Sequence, residues 1–364
     1  MLLETIFAEN FRNLTGEIEF GSGLNIIFGE NGQGKTNWLE AIYILANARS
    51  FKTARLQETI NFEADEAIIR GKVRQSKEIT REVGVLLKEN AKRLSVNGKR
   101  ETAQRFSTQL YTLLFNSDSL EIVRSSPAAR RDFLDSGIVS IYPSFSKTLS
   151  DYAKVIKQKN SILSKARDEE ASPDYVKNLI EPWNEQLSVL ATHIYKARIR
   201  FVQRLNEVLE KKLFDKEEIT ITYFSSLEGK GDLRDFESLL RDRLELRLPA
   251  EIYAGKALIG THRDDLLIRF NGKDLRKFGS SGQQRSALLI LLTAKLSVFF
   301  EQNKEYPIFL LDDLDAELDY KRIGLLLNYL KGKSQTFVTT SKESFIERFS
   351  KGAQVHEIVN GKPV

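Results

Sequence analysis

Eight residues near the amino terminus fit G-x-x-x-x-G-K-[ST], the pattern of a phosphate-binding loop. In such a loop the glycines let backbone N–H groups point at anionic oxygens, and the next helix adds the positive end of its dipole. The lysine is expected to reach the β- and γ-phosphates of a nucleotide, and the last hydroxyl to bind Mg²⁺. The eight residues are Gly29, Glu30, Asn31, Gly32, Gln33, Gly34, Lys35 and Thr36.

The segments on either side of this loop match the strand and the helix that the motif requires. Residues 24–28 are apolar except for Asn25, which predicts a buried strand. Residues 37–48 carry apolar side chains at helical spacing. The alternative is a chance glycine turn before a helix, and the strand in front of the loop argues against it.

A second strand could complete the site with carboxylates. Residues 308–311 are all apolar, and Asp312 and Asp313 follow them. Asp312 is expected to hold Mg²⁺, directly or through water, and Asp313 to position and deprotonate an attacking water. A strand that ends in a polar turn is the alternative, but a phosphate-binding loop in the same chain favours a nucleotide site.

Three further segments could touch the nucleotide. The small residues 279–282 precede a predicted helix and could hold an anion there, although no lysine follows them. Thr339, Thr340 and Ser341 end a predicted strand, where their hydroxyls could meet the γ-phosphate or the water. Arg12 lies in a short connection between strands, and an ordinary surface arginine is the alternative there.

Composition narrows the class of protein. The chain has 364 residues, of which 41% are hydrophobic and 29% are charged, as expected for a globular protein with a large core. It has no cysteine, which excludes disulfides and thiolate chemistry. No apolar run approaches the roughly 20 residues that span a bilayer, and the amino terminus lacks a secretion signal. We therefore expect a cytoplasmic protein, and the net charge of +5 is weak evidence for nucleic-acid binding.

The middle of the chain has the pattern of long amphipathic helices. Apolar side chains form one stripe along residues 145–163 and another along residues 183–208, with a Ser172-Pro173 turn between them. This pattern predicts a helical hairpin. We therefore divide the chain into residues 1–115 with the phosphate-binding loop, a helical insertion of residues 116–248, and residues 249–364 with the second half of the site.

Basic residues are dense on this predicted hairpin, and such a density could follow a phosphate backbone. They are Lys154, Lys157, Lys159, Lys165, Arg167, Lys196, Arg198, Arg200, Arg204, Lys211 and Lys212. A solvated face is the alternative, and few aromatic residues lie among them to stack on bases. Residues 262–265, His-Arg-Asp-Asp, are expected to form a hydrogen-bond network, because adjacent residues are poorly spaced for a metal.

Taken in order, the motifs resemble those of an ABC-type ATPase head. Residues 29–36, 280–283, 310–313 and 317–319 are similar to its phosphate-binding loop, signature, Mg²⁺-binding strand and D-loop. The helical insertion is too short for a full SMC protein, and residues 10–13, 37–42, 126–135 and 262–265 resemble motifs of the bacterial RecF family. The resemblance covers nearly the whole chain. It implies an α/β fold, namely an ABC/SMC-type P-loop ATPase head with mixed sheets and an inserted α-helical domain.

The resemblance implies a homodimer that closes around two ATP molecules. Ser280, Gly282 and Gln283 would contact the γ-phosphate held by the other subunit, and Asp319 would bridge the two sites. A two-fold sandwich lets each copy complete its partner's site. Asp313 stands where most ABC ATPases have glutamate, and residues 340–341 where many have a switch histidine, so we expect slow hydrolysis. No Q-loop glutamine is recognisable, and residues 116–118 are where that loop is expected.

The family resemblance also implies a function. It suggests a weak, DNA-dependent ATPase of recombinational repair that uses ATP and Mg²⁺ and binds gapped DNA at junctions of single and double strands. RecR and RecO would be partners in loading RecA, at the nucleoid and away from membranes. An ATPase subunit of a membrane transporter is the first alternative, and the helical hairpin argues against it. A chromosome-organising SMC-like head that needs a coiled-coil partner is the second.

Overall fold

The structure is a computed structural model that describes residues 1–75, 79–124, 126–211 and 217–364. These residues form two compact units, the first made of Met1–Leu120 and Leu288–Val364 and the second of Glu121–Ala287. The sequence analysis gave the insertion the bounds 116–248, whereas the second unit begins at Glu121 and ends at Ala287. It extends further because residues 265–270 pair with residues 219–224 in one antiparallel sheet.

Strands and helices are numbered in chain order over the described residues. The strands are β1 (Leu2–Phe11), β2 (Leu14–Glu19), β3 (Leu24–Phe28), β4 (Glu66–Arg74), β5 (Thr80–Lys88), β6 (Ala91–Val96), β7 (Lys99–Arg100), β8 (Thr112–Phe115), β9 (Ile219–Phe224), β10 (Asp265–Phe270), β11 (Lys273–Asp274), β12 (Ile308–Leu311), β13 (Thr336–Thr340), β14 (Gln354–Val359) and β15 (Lys362–Pro363). The α-helices are α1 (Lys35–Asn47), α2 (Ala103–Phe106), α3 (Glu121–Arg124), α4 (Pro127–Ile141), α5 (Phe145–Asp168), α6 (Pro173–Leu209), α7 (Phe236–Ala254), α8 (Leu275–Phe278), α9 (Ser281–Asn303), α10 (Leu314–Glu317), α11 (Tyr320–Leu330) and α12 (Glu343–Phe349). No helix in the described part of the chain is long and apolar enough to cross a membrane.

An antiparallel sheet forms one layer of the first unit, with strand order β2-β1-β4-β5-β6-β7. Side chains alternate across it, so that Ile69 and Val73 of β4 are fully buried whereas Arg70 and Lys72 are exposed. Helix α1 packs on the buried face, where its Leu45 lies so close to Gly71 that a side chain there would collide with it. One face of this sheet is therefore core and the other is solvent.

A second sheet positions the predicted site, with strand order β15-β14-β3-β13-β12-β8. The strands β14, β3, β13, β12 and β8 run parallel, and only β15 pairs antiparallel at the edge. The carboxyl ends of parallel strands meet at one edge, which is where such sheets bind ligands. The phosphate-binding loop after β3 therefore lies beside the polar residues that follow β12 and β13.

Long helices dominate the second unit, beside a small sheet of order β11-β10-β9. Ser126 and Ser172 cap α4 and α6 by accepting hydrogen bonds from the N–H groups of Ala129 and Tyr175, and a proline follows each cap. The apolar stripes of α5, α6 and α7 share one core cluster. The predicted α/β fold with mixed sheets and an inserted helical hairpin is therefore confirmed.

Candidate nucleotide-binding site

Glycines are required by the shape of the loop between β3 and α1. Gly29, Gly32 and Gly34 have φ of 153°, 82° and 104°, values that side chains of L-residues rarely allow. A Cβ atom on Gly29 would also lie 2.5 Å from the Ile358 carbonyl oxygen. With these glycines the loop curls tightly and leads directly into the first turn of α1.

The turn between β14 and β15 forms hydrogen bonds with this loop. The N–H groups of Asn360 and Gly361 donate to the side-chain and backbone oxygens of Gln33, at 2.5 and 2.8 Å. The indole N–H of Trp38 donates to the Gly361 carbonyl oxygen at 3.1 Å. The side chain of Gln33 is therefore engaged by the protein's own backbone.

The Lys35 amine lies across the loop. Its Nζ donates to the Glu30 carbonyl oxygen at 2.7 Å. Burial lowers the pKa of Lys35, and the carboxylates of Asp313 and Asp312 oppose that shift. The amine is therefore held between the loop and the end of β12, where it can meet an incoming phosphate.

One carboxylate oxygen of Asp312 connects the start of α1 with the ends of β12 and β13. Asp312 Oδ1 accepts hydrogen bonds from the hydroxyls of Thr36, at 2.9 Å, and Thr339, at 2.8 Å. Thr339 Oγ1 in turn accepts the backbone N–H of Asp313 at 2.8 Å. These contacts place the predicted Mg²⁺ ligands together, on residues separated by more than 270 positions in the chain.

The predicted ligands suit Mg²⁺ in number and kind. The described residues contain no group of three or more His, Cys, Asp or Glu side chains arranged for a metal. In nucleotide sites, however, Mg²⁺ is usually held by one or two protein oxygens together with phosphates and water. The Thr36 hydroxyl and the Asp312 carboxylate supply two hard oxygen ligands of this type.

Asp313 has an unusual backbone and a raised pKa. Its φ of 50° and ψ of 45° are in the left-handed region, which is uncommon for a residue other than glycine. Burial raises the pKa of Asp313, with further contributions from the neighbouring Asp315 and Asp312 carboxylates. A carboxylate with a raised pKa is a stronger general base, which fits the predicted role.

These residues surround a cleft of about 350 Å³ in the first unit. Its lining includes the predicted metal ligands, the predicted base and most of the phosphate-binding loop. The lining residues are Asn31, Gly32, Gly34, Lys35, Thr36, Asn37, Lys52, Ser117, Asp312, Asp313, Glu317 and Thr339. Ser117 belongs to the segment 116–118 in which the Q-loop was expected, so that segment does reach the cleft.

Arg12 forms an ion pair with a buried carboxylate. Its Nε and Nη2 donate to the two oxygens of Glu40, at 2.5 and 2.9 Å. Glu40 on helix α1 is fully buried and also accepts a hydrogen bond from Ser50. The contacts of Arg12 thus order the β1–β2 connection against α1, and Arg12 is not among the cleft-lining residues.

Lys52 is the cleft cation that sequence reasoning missed. Its Nζ donates to Asn37 Oδ1 at 2.9 Å and lies 3.9 Å from Glu40 Oε2. Burial lowers the pKa of Lys52, against the effect of Glu40. The sequence signal was a basic residue shortly after the helix of the phosphate-binding loop, which is a common pattern and therefore uninformative alone.

The signature-like residues form a capping box at the start of α9. The Ser280 N–H donates to Gln283 Oε1 at 2.9 Å, and the Gln283 N–H donates to Ser280 Oγ at 3.3 Å. Ser280 is exposed, and Gly282 lies in the same turn. These three residues belong to the second unit, whereas all residues lining the cleft belong to the first.

Asp319 and Thr340 have local partners. Asp319 caps α11 by accepting the Arg322 N–H at 2.9 Å, and this backbone hydrogen bond lowers the pKa of Asp319. Thr340 is fully buried and donates to Asp315 Oδ2 at 3.0 Å. Of the two threonines predicted near the γ-phosphate, Thr339 thus lines the cleft and Thr340 does not.

The His-Arg-Asp-Asp segment is part of a hydrogen-bond network in the second unit. Asp264 accepts hydrogen bonds from the Tyr223 hydroxyl and, at 2.7 Å, from the Ser226 N–H. His262 Nδ1 lies 2.8 Å from the Tyr152 hydroxyl. Burial lowers the pKa of His262 to about 4 and raises that of Tyr152 to about 12. The expected network is therefore observed.

Two of the basic residues assigned to a DNA-binding face are buried instead. Lys159 pairs with Glu251 at 2.7 Å, and both side chains are fully buried. Arg198 is 4% exposed and pairs with Asp135 at 2.7 Å. These two residues therefore lie neither on a DNA-contacting face nor on a solvated one, the two alternatives that the sequence left open, because long-range carboxylates pair with both cations in the core. Lys212 lies outside the described residues.

The sequence of the chain is similar to those of known ATPase heads. Residues 2–362 match the family RecF/RecN/SMC N terminal domain. The DNA replication and repair protein RecF of Ligilactobacillus salivarius (strain UCC118) is 34% identical over 372 residues, covering 100% of this chain and 97% of that relative. The RecF of Ruminiclostridium cellulolyticum is 34% identical over 371 residues, covering 99% of this chain and 98% of that relative.

Solved structures agree in fold. The recombination mediator protein RecF in the RecFOR pathway, solved as RecF-ATP, superposes with a TM-score of 0.89 at 31% identity, covering 100% of this chain and 96% of that one. An Smc head bound to the C-winged helix domain of ScpA has a TM-score of 0.58 at 16% identity, covering 100% of this chain and 96% of that one, which shows the fold alone. The chain therefore belongs to the RecF/RecN/SMC N-terminal domain family of ATPase heads and, within it, to the RecF proteins of DNA replication and repair.

Proposed function

We propose that this protein is an ATP-dependent DNA-binding protein of recombinational repair, with slow ATP hydrolysis as its release step. The observation that carries the proposal is the joining of Thr36, Asp312 and Thr339 beside the phosphate-binding loop. Relatives named DNA replication and repair protein RecF, and a RecF solved with ATP, support the same function.

The proposed chemistry assigns one task to each part of the cleft. The loop from Gly29 to Gly34 and the Lys35 amine bind the phosphates, and Thr36 and Asp312 hold Mg²⁺. When bound, Mg²⁺ neutralises charge that develops on the phosphate oxygens. Asp313 orients and deprotonates the attacking water, and its backbone hydrogen bond to Thr339 fixes its position.

Slow hydrolysis follows from the length of that base. An aspartate is one methylene shorter than the glutamate of most ABC ATPases, so Asp313 holds a water less closely to the phosphate. A slow step suits a protein whose ATP-bound state has to persist on DNA. Hydrolysis would then act as a timer that ends the bound state.

ATP is further proposed to close a homodimer. Ser280, Gly282 and Gln283 of one copy would contact the nucleotide of the other, and Asp319 would lie between the two sites. The exposed start of α9 supports this role, because the N–H groups of a first helical turn bind anions. Binding energy from two shared nucleotides would then hold the dimer together.

The proposed place of action is gapped DNA at a junction of single and double strands, within the nucleoid. RecR and RecO are the proposed partners in loading RecA. The structurally similar RecF is described as a recombination mediator protein in the RecFOR pathway, which supports the connection with recombination mediators.

Retention on gapped duplex DNA with and without ATP tests the proposal, with light scattering as the measure of dimerisation. ATP should promote both for the unaltered protein. Ser280→Arg should abolish ATP-induced dimers but leave monomer ATP binding intact, and Ser280→Thr, which keeps the hydroxyl cap, should dimerise. Dimers of Ser280→Arg would refute the role of this residue in the partner's site. Sedimentation with membrane vesicles instead of DNA would favour the transporter alternative.

A further inference from the structure

The solvent face of the antiparallel sheet is divided by charge. Register places Arg70 opposite Gly84, Gly84 opposite Ser95, and Ser95 opposite Arg100, so all four lie in one row across β4 to β7. Alternation along a strand puts residues two apart on the same face. The sheet therefore presents cations over its β4–β7 half, and we name this set the sheet cations. They are Arg70, Lys72, Arg93 and Arg100.

Carboxylates occupy the other half of the same face. Register places Phe7 of β1 between Arg70 and Glu17. Glu9 and Glu19 lie two residues from Phe7 and Glu17 on their strands, and all three glutamates are exposed. We name Glu9, Glu17 and Glu19 the acidic edge. The face therefore changes from negative at β1 and β2 to positive at β4 to β7.

The sheet cations differ from nearby charges because none of them forms an ion pair with a carboxylate in the described part of the chain. Their neighbours Arg74 and Lys88 do pair, with Glu4 at 3.2 Å and with Glu66 at 2.9 Å. The positive charge on this face is therefore available to a partner, which is what a site for a polyanion requires.

One carboxylate also lies among the sheet cations. Register places Glu82 of β5 opposite Lys72, and its side chain is exposed on the same face. The two side chains form no ion pair within the described residues. Four cations against this one carboxylate leave the β4–β7 half positive.

Several exposed cations of the helical hairpin are compensated, by contrast. Lys154 lies 3.2 Å from Asp151, Lys165 lies 3.7 Å from Glu169, and Arg167 lies 2.8 Å from Asp168. Such surface pairs add little stability, but they cancel the field that a phosphate backbone would meet. The density of basic residues in the sequence thus overstated the charge that the hairpin offers to DNA.

The shape of the face suits a broad polyanion. Gly84 has no side chain, so the row between Arg70 and Arg100 is low, and a Cβ there would lie 2.8 Å from Ser95 Oγ. At about 4.8 Å between strands, these two arginines are about 14 Å apart across the sheet. Along the strands, Lys72 and Arg93 are offset by four residues, or about 14 Å at about 3.4 Å per residue. A patch extended in both directions fits a duplex better than a single strand, which needs a narrow track with stacked aromatic residues.

We propose that the sheet cations bind the phosphate backbone of double-stranded DNA and that the acidic edge limits where the duplex can lie. This inference rests on the proposed function, since it assigns a surface to the DNA of that function. Backbone contacts of this kind position a protein without reading sequence. Repulsion by carboxylates at one side then fixes the orientation of the bound duplex.

A pair of matched triple variants tests the assignment in the full chain with ATP and Mg²⁺. The sheet variant is Arg70→Gln, Arg93→Gln and Arg100→Gln. The hairpin variant is Lys157→Gln, Lys196→Gln and Arg200→Gln, three exposed cations that form no ion pair with described carboxylates. Both lose three positive charges. Affinity for a duplex of about 30 base pairs, which is about three helical turns, is measured by fluorescence anisotropy at several salt concentrations.

The sheet variant should bind the duplex at least about tenfold more weakly than the unaltered protein. Its plot of log affinity against log salt should lose up to about 2.7 units of slope, at about 0.9 per phosphate contact. The hairpin variant should stay within about twofold, with its slope unchanged. Equal losses in both variants, or an unchanged sheet variant, would overturn the assignment. A loss confined to single-stranded DNA would overturn the choice of duplex.

Two further measurements separate binding from folding and from the wider function. Glu17→Gln with Glu19→Gln should bind the duplex severalfold more tightly, which no loss of fold can imitate, and unchanged or weaker binding would count against the acidic edge. Melting temperature and ATP affinity should be the same for every variant. Absence of ATP-dependent duplex binding by the unaltered protein would refute the proposed function itself. Unchanged duplex binding by the sheet variant, with normal binding by the unaltered protein, would refute only this surface.

Discussion

The nucleotide cleft and the network around Arg198 are both rich in charge, but they differ in how completely their atoms are paired. Arg198 donates to both oxygens of Asp135, at 2.8 and 2.7 Å, and to the Thr261 carbonyl oxygen at 2.7 Å. In the cleft, Lys35 donates to one backbone carbonyl and faces open space. A saturated network rigidifies a fold, whereas incompletely paired groups beside a cleft are available to a ligand.

The largest expected effect is a loss of unfolding free energy when the network around Arg198 is broken. Arg198→Met leaves the Asp135 carboxylate without its partner in a largely buried place, which should cost about 3–5 kcal/mol of unfolding free energy. Arg200→Met, at an exposed position two residues further along α6, should cost less than about 0.5 kcal/mol. Urea unfolding measures both. Equal stabilities would show that the network is not the support that its geometry suggests.

A second effect on the network depends on pH. Burial lowers the pKa of His262 to about 4, against about 6.5 in an unfolded chain. Between these values the unfolded chain binds a proton that the folded protein does not. Unfolding free energy should therefore fall as pH drops from about 6.5 to about 4, by up to about 3 kcal/mol. His262→Gln should flatten this part of the urea-derived stability profile, and an unaltered profile would remove His262 as its source.

On the cleft side, Asp313→Asn should slow hydrolysis about 100-fold, because an amide cannot accept the proton of the attacking water. ATP affinity should be retained or slightly increased, since a negative charge near the phosphates is removed. Single-turnover assays with labelled ATP give the rate, and calorimetry gives the affinity. A normal rate would place the base on another residue.

Lys35→Ala should have the smallest effect of the four on free energy. Loss of one charged hydrogen bond to phosphate should weaken ATP binding by about 2 kcal/mol, or about thirtyfold. Melting temperature without nucleotide should be unchanged, because the hydrogen bond that the amine donates to the Glu30 carbonyl oxygen is at an exposed position. The exposed Lys351→Ala serves as the matched control. Titration that finds equal affinities for these two variants would contradict the assignment of the loop.

Local features were well predicted because their causes are local. The positive φ angles of Gly32 and Gly34 follow from the absence of a side chain, and the predicted break at Ser172-Pro173 is where Ser172 caps α6 through an atom three residues away. The predicted start of a helix after residues 279–282 is equally local, and the structure shows a capping box there between Ser280 and Gln283. The hairpin was recognisable from periodicity, although the end of the second unit was not, since it depends on pairing of β9 with β10.

The fate of individual charged side chains was not predictable from their neighbours in sequence. Lys159 and Lys157 are two residues apart on one helix, yet one is fully buried against Glu251 and the other is exposed. Arg12 was expected at the nucleotide and is paired with Glu40, while the unremarked Lys52 lines the cleft. The carboxylate partner lies 28 positions away in the chain for Arg12 and 92 positions away for Lys159.

By itself, the sequence determined that this chain carries a phosphate-binding loop, a strand ending in two carboxylates and a helical insertion. Each of these depends on backbone conformations or spacings set within a few residues. Only the tertiary structure decided that Thr36 and Thr339 share one oxygen of Asp312 and that Arg198 is structural. It also decided that cations with no ion pair among the described residues gather on one half of a sheet face. These outcomes depend on strand register and on burial, because the free energy of a charged side chain is set by whichever atoms the fold brings next to it.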